Sequence, residues 1–184
     1  YRYENDFNGT EESIRLDPML TFVNPDNFVY KDGMISIDGS NWAVFSSSSL
    51  LGDEPYTVSL DVSSKEVNPA PVCGAAFNVR GKKAATFMDQ GITFIVRNKS
   101  LRVFESGNEL VSLKTPFSFD SNMRKVWIED SLSEIKFFAN DDSQVKTLLA
   151  SVEFSNEKLI IKDGNGVTKK TRNDPGVPST GYFG

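Results

Sequence analysis

Cys73-Gly74-Ala75-Ala76-Phe77-Asn78-Val79-Arg80, Gly91-Ile92-Thr93-Phe94-Ile95-Val96-Arg97 and Leu101-Arg102-Val103-Phe104-Glu105 are three short alternating runs. Each is bounded by Gly, Asn, Lys or Ser. Apolar residues at every second position mark half-buried β-strands, because successive side chains leave a strand on opposite sides. Phe77, Val79, Ile92, Phe94, Val96, Leu101 and Val103 fall on the core side of this reading. Asn78, Arg80, Thr93, Ile95, Arg97, Arg102 and Phe104 fall on the other. Three arginines and an aromatic on one sheet face exceed what solubility needs. This face is therefore the first candidate for a binding surface.

The same alternation extends outward from this block. Residues 56–63 send Val58, Leu60 and Val62 inward and Ser59, Asp61 and Ser63 outward. Residues 28–30 and 34–37 flank Asp32-Gly33, a pair suited to the left-handed angles of a type I′ hairpin turn. Strands are also expected at 19–23, 42–45, 110–113, 123–128, 134–138, 158–161 and 182–184, with an edge strand at 1–7. Residues 11–17 are polar enough for one helical turn before Pro18 stops it, and 145–152 read as strand or helical turn. Residues 46–49, 65–71, 81–90, 116–122 and 169–179 read as loops, and Asn98-Lys99-Ser100 as a turn. Roughly a dozen short strands with frequent turn signals and no sustained helical period point to an all-β, two-sheet antiparallel sandwich.

Composition bounds the chemistry. The 184 residues fit one domain, spanning 1–184, and 39% hydrophobic residues suffice for a real core. A net charge of -5 disfavours a nucleic-acid partner. No apolar run approaches the roughly 20 residues needed to cross a bilayer, so no membrane insertion is expected. The chain begins Tyr-Arg-Tyr, which reads as a piece processed or excised from a longer protein. Cys73 is the single cysteine, so no internal disulfide forms, and a buried inert thiol is expected there. Histidine is absent. That excludes Ser-His-Asp and Cys-His catalysis and any histidine-bearing zinc site. Carboxylate chemistry, calcium on oxygen ligands and plain binding survive.

The order of pieces resembles the concanavalin A-like sandwich modules attached to glycoside hydrolases, the levan-binding type and related sugar-hydrolase-like domains in particular. The residues that carry the resemblance are Lys31-Asp32-Gly33-Met34, the strand from Tyr56 to Val62, Cys73 through Arg80, and Leu101-Arg102-Val103-Phe104. The pair of strands between Val126 and Phe138 and the closing Gly181-Tyr182-Phe183-Gly184 complete it. It covers most of the chain from about Asn27 onward, and the Lys-Lys-Ala-Ala of the 81–90 loop departs from it. The resemblance implies a jelly-roll sandwich, secreted or at the cell surface, that binds an oligo- or polysaccharide beside a larger parent enzyme or surface protein. In such modules acids and arginines around a sheet face bond sugar hydroxyls. Here that role carries over to Asp61 and Arg80, and to Arg97 and Arg102 by strand parity.

A sugar site needs planar hydrogen-bonding groups and an apolar platform for the C–H face of the ring. Asp61, Asn78, Arg80, Arg97 and Arg102 supply the first, and Phe104 and Trp42 the second. Trp127 lies between Val126 and Ile128 and so faces away from them, but a tryptophan on a sheet face more often packs than binds. Trp42, at a strand start near a loop mouth, is the better platform candidate. Asp163 with Asn165, Asn140-Asp141-Asp142, and Asp17 with Asp26 offer oxygens for a structural calcium, although turn chemistry accounts for all of them. Asn8-Gly9-Thr10 and Asn98-Lys99-Ser100 match the N-glycosylation pattern. A non-catalytic carbohydrate-binding module is the leading reading. A glycosidase using Glu129, Asp130 and Glu134 is one alternative, and an adhesin-type domain with contacts in 65–71 or 169–179 is another.

Overall fold

The computed structural model describes residues 2–37, 43–64, 74–82, 88–173 and 175–184. A short helix, α1 (Glu11–Arg15), comes first; the Thr10 hydroxyl caps it by accepting from the Ser13 N–H at 3.1 Å, and Ile14 is buried beneath it. β1 (Leu20–Val23) follows, then the hairpin of β2 (Phe28–Lys31) and β3 (Met34–Ile37). Asp32 and Gly33 turn that hairpin with φ of 55° and 71°, the left-handed pair that a type I′ turn requires. Residues 2–7 carry no strand, so the edge strand expected there is not formed by the described part.

β4 (Val44–Ser47) pairs with β1. β5 (Tyr56–Val62), β9 (Arg124–Asp130), β10 (Glu134–Asn140), β11 (Lys146–Ser155), β12 (Lys158–Asp163) and β13 (Thr168–Asn173) form one antiparallel sheet in the order β13-β12-β11-β10-β9-β5. β6 (Ala75–Val79), β7 (Ile92–Glu105) and β8 (Asn108–Phe119) form a second. The two sheets face each other across one apolar core, the layered arrangement of a β-sandwich. Phe137 of the larger sheet meets Phe94 and Phe77 of the smaller, with ring centroids 5.1 and 5.9 Å apart. All seven residues assigned to the core side of the central block belong to this core.

The C-terminal residues knit the small sheets together. Gly184 exchanges both backbone hydrogen bonds with Asn78, while Gly181 pairs with Leu51 and Tyr182 with Gly81. The Ser47 N–H also donates to the Phe183 carbonyl. The segment thus lies between β4 and β6. It passes so close to β6 that a Cβ on Gly181 would stand 2.2 Å from the Arg80 carbonyl carbon.

Three departures from expectation have a common cause in strand regularity. Asn98-Lys99-Ser100 is not a turn; β7 runs through it with a bulge, and Asn98 has φ of 50°. Core positions fall at 92, 94 and 96 and then at 101 and 103, and one extra residue returns the chain to the same face. β8 continues through Pro116, which is tolerated because β8 is an edge strand. β13 lies within a stretch expected to be irregular, and of the two readings open for 145–152 the strand is the one formed, over Lys146–Ser155. Cys73 lies outside the described residues.

Gly181→Ala is expected to lower stability by roughly 1–3 kcal/mol, the usual cost of overpacking. Gly176→Ala, where an added Cβ meets nothing within 4 Å, is expected to be neutral. Urea unfolding midpoints of the two variants check the contrast.

Candidate functional site

The arginine-bearing face of the central block is not an open trough. Asn78 and Arg80 are each only 3% exposed, and Phe104 is 4% exposed. The Asn78 amide donates to Thr93 Oγ1 at 2.9 Å and to the Gln90 carbonyl at 3.0 Å, so the loop at Gln90 covers it. Arg80 follows the end of β6 with φ of 62°, and its guanidinium meets the opposite sheet. There it grips Asp130 with two bonds, from Nε at 2.9 Å and Nη2 at 2.8 Å. It also donates to the Leu132 and Pro178 carbonyls and stacks 4.5 Å above the Phe154 ring. Four of its five donors are used within the protein and the group is buried, so it does not face a ligand.

The other arginines are nearer the surface. Arg102 makes a bidentate pair with Glu109 at 2.7 and 2.8 Å and lies 5.0 Å from the Phe104 ring. Arg97 is half-buried on β7 just before the bulge. Asp61 is exposed, but it belongs to β5 of the six-stranded sheet. The expected cluster is therefore divided between two sheets, and Trp42 lies outside the described residues.

A different surface combines an aromatic platform with polar groups: the outward face of the six-stranded sheet. Val126, Ile128, Ile135, Phe137 and Ala139 point into the core, so parity turns Lys125, Trp127 and Glu129 outward on β9, with Lys136, Phe138 and Asn140 on β10. Register then aligns them in rows. Trp127, Phe138 and Leu148 stand opposite one another across β9, β10 and β11 as a partly exposed apolar stripe, and Ser59 of β5 extends the row. Asp61 faces Lys125 and Asn140 faces Lys146 on one side of the stripe. Thr57, Glu129, Lys136 and Ser151 form the row on the other side.

Three acids on this face form ion pairs with lysines. Lys146 bonds Glu129 at 2.6 Å, Lys162 meets Glu153 at 2.9 Å, and Lys136 lies 3.9 Å from Glu134. The Lys146 ammonium lies 4.4 Å from the Phe138 ring centroid and 5.2 Å from that of Trp127, which Lys125 also approaches to 5.2 Å. Trp127 was legible only as a residue facing away from its neighbours. Its pairing with Phe138 depends on the β9–β10 register.

The carboxylates considered for metal or catalysis are committed elsewhere. Asp163 Oδ1 accepts the Asn165 and Val167 amides, and these bonds hold its carboxyl below the usual range, the one from Val167 most of all. Asp141 Oδ1 likewise accepts the Ser143 and Val145 amides, and Asp26 pairs with Arg15. Among the described residues no three carboxylates or thiols converge as a metal site. Asp130 is buried against Arg80, while Glu129 and Glu134 lie on the outward face beside lysines. Among the described residues no helix is long and apolar enough to cross a membrane. No protein-family model matches the chain, and no curated protein matches it.

Removing one partner of a buried ion pair strands the other, so Arg80→Ala is expected to cost about 3–5 kcal/mol. Arg102→Ala, at an exposed pair, is expected to cost under about 1 kcal/mol. The Arg102 hydrogen bond holds Glu109 below its ordinary value of 4.5. That contribution is complete above the ordinary value and is lost as pH falls through the lower folded one. The Arg102→Ala deficit should therefore disappear in acid; urea titrations at neutral and acid pH measure it. The buried Tyr56 hydroxyl lies beside Asp130, and burial first, then the Asp130 charge, raises its pKa.

Proposed function

We propose that the chain is a non-catalytic carbohydrate-binding module of the concanavalin A-like jelly-roll type, secreted or surface-attached, and that its ligand lies on the outward face of the six-stranded sheet. The observation that carries this reading is the Trp127–Phe138 row with polar rows on both sides. A pyranose or furanose ring offers an apolar C–H face and a rim of hydroxyls. Aromatic faces match the first, and carboxylates, ammoniums and amides match the second.

Three acids of this face pair with lysines and Asp61 stands opposite Lys125, which favours an uncharged glycan over an acidic one, since neither sign of charge dominates the face. The Lys146–Glu129 pair reaches across the aromatic row, with the ammonium over both rings, and is 40% and 34% exposed. An exposed pair of that kind contributes at most about 1 kcal/mol, so a ligand can part it at little cost. Its two ends then serve as donor and acceptor for hydroxyls. The glycosidase alternative is weakened because Asp130 is already occupied by Arg80.

A glycan array, followed by calorimetry on its hits, tests the proposal. Trp127→Ala is expected to weaken binding at least about tenfold, or 1.4 kcal/mol, while Arg102→Ala leaves it unchanged. Affinity should vary little with added salt, because few net charges are neutralised. Folded protein that ignores every neutral glycan on the array would refute the assignment.

A further inference from the structure

A cleft of about 530 Å³ opens at one end of the sandwich, where β8 leads into β9 and β10 turns back into β11. Lys99, Asp120, Asn122, Arg124, Asp141 and Gln144 give it polar walls. Its base is rigid. Arg124 donates to the Asn140 carbonyl at 2.6 Å, the Ser118 carbonyl at 2.9 Å and Asp142 at 2.8 Å, and it stacks 4.2 Å from the Phe117 ring. The acids are fixed by their own turns: Asp120 Oδ1 accepts the Asn122 amide, and Asp141 Oδ1 accepts the Ser143 and Val145 amides. These bonds use one oxygen of each carboxylate. Gln144 Oε1 accepts from the Asn140 side chain at 3.1 Å, which leaves the Gln144 NH2 group as a donor.

This donor set suits a neutral polyol. Asp120, Asp141 and Asp142 surround Arg124, so the cleft is not an anion clamp, and Lys99 and Arg124 among the acids disfavour a bare cation. Carboxylate oxygens can accept from hydroxyls, while Lys99, Asn122 and Gln144 can donate to them.

The cleft also adjoins the aromatic row. Lys125 follows Arg124 directly and approaches the Trp127 ring. Asn140, two residues beyond Phe138 on the same side of β10, bonds both Arg124 and Gln144. Phe138 and Asn140 are two residues apart on the same face of β10, about 7 Å, and the Asn140 side chain bonds Gln144 at the cleft. A short oligosaccharide spans that interval.

We propose that the cleft is a second sugar subsite. One residue of a neutral glycan chain stacks on Trp127 and Phe138, and the same chain continues into the cleft, where its hydroxyls are hydrogen-bonded. This inference rests on the sugar-binding reading above. Engaging two linked subsites makes the second contact intramolecular, so affinity rises with chain length.

Calorimetry with cello-, manno- and fructo-oligosaccharides from dimer to hexamer tests it. The wild-type chain should gain about tenfold in affinity from dimer to hexamer for the series it binds. A Lys99→Ala/Gln144→Ala double variant alters two exposed side chains and should cut that gain to about twofold or less. Trp127→Ala should weaken every length alike. A double variant that keeps the full gain, or a wild type that shows none, overturns the second subsite. Undiminished binding by Trp127→Ala overturns the platform reading by itself. Silence of folded wild type towards all three series removes both.

Discussion

The sandwich depends on one buried ion pair. Arg80, at the end of β6, reaches Asp130, at the end of β9, and both are almost completely removed from water. Burying two charges costs several kcal/mol each unless their remaining donors and acceptors are filled. Here four of the five guanidinium donors are used: beyond Asp130, Arg80 reaches the Leu132 and Pro178 carbonyls, and Asp130 Oδ1 accepts the Leu132 amide. The geometry that allows this is local. The left-handed φ of Arg80 turns its backbone out of the strand pattern and brings the guanidinium to the opposite sheet.

A second arginine performs a similar task at the other end of β9. Arg124 ties the start of that strand to the Ser118 carbonyl of β8 and the Asn140 carbonyl of β10. β9 is thus fixed at both ends by planar, multiply bonded guanidiniums stacked on phenylalanines. Trp127 sits midway between them. A platform carried on a strand held this way is ordered before any ligand arrives, which reduces the entropic cost of binding. The arginines therefore serve the proposed site by holding its scaffold.

How much could be read beforehand follows from what each residue's environment depends on. Phe77, Val79, Ile92 and Phe94 were assigned to the core from alternation alone, because a strand that buries one face must repeat every second residue. The bulge at Asn98 and Ser100 broke that rule and looked like a turn, since both use a left-handed residue among polar neighbours. β13 gave no periodic signal, because all six of its residues are exposed and it exists as a strand only by pairing with β12. For the site, Asp61 was correctly turned outward, but the arginines it was grouped with belong to the other sheet.

What the residues alone determined was local: strand alternation, the Asp32-Gly33 hairpin, the direction of most side chains and the exclusion of histidine chemistry. Those properties follow from backbone geometry and from which atoms are present. What only the tertiary structure decided was which outward face stays open. Asn78 and Trp127 each lie opposite apolar neighbours on their strands, yet Asn78 is buried and bonded to the Gln90 carbonyl while Trp127 stays in solvent reach. Parity assigns a side chain to one side of a sheet. Whether water or another part of the chain occupies that side depends on contacts between residues far apart in sequence.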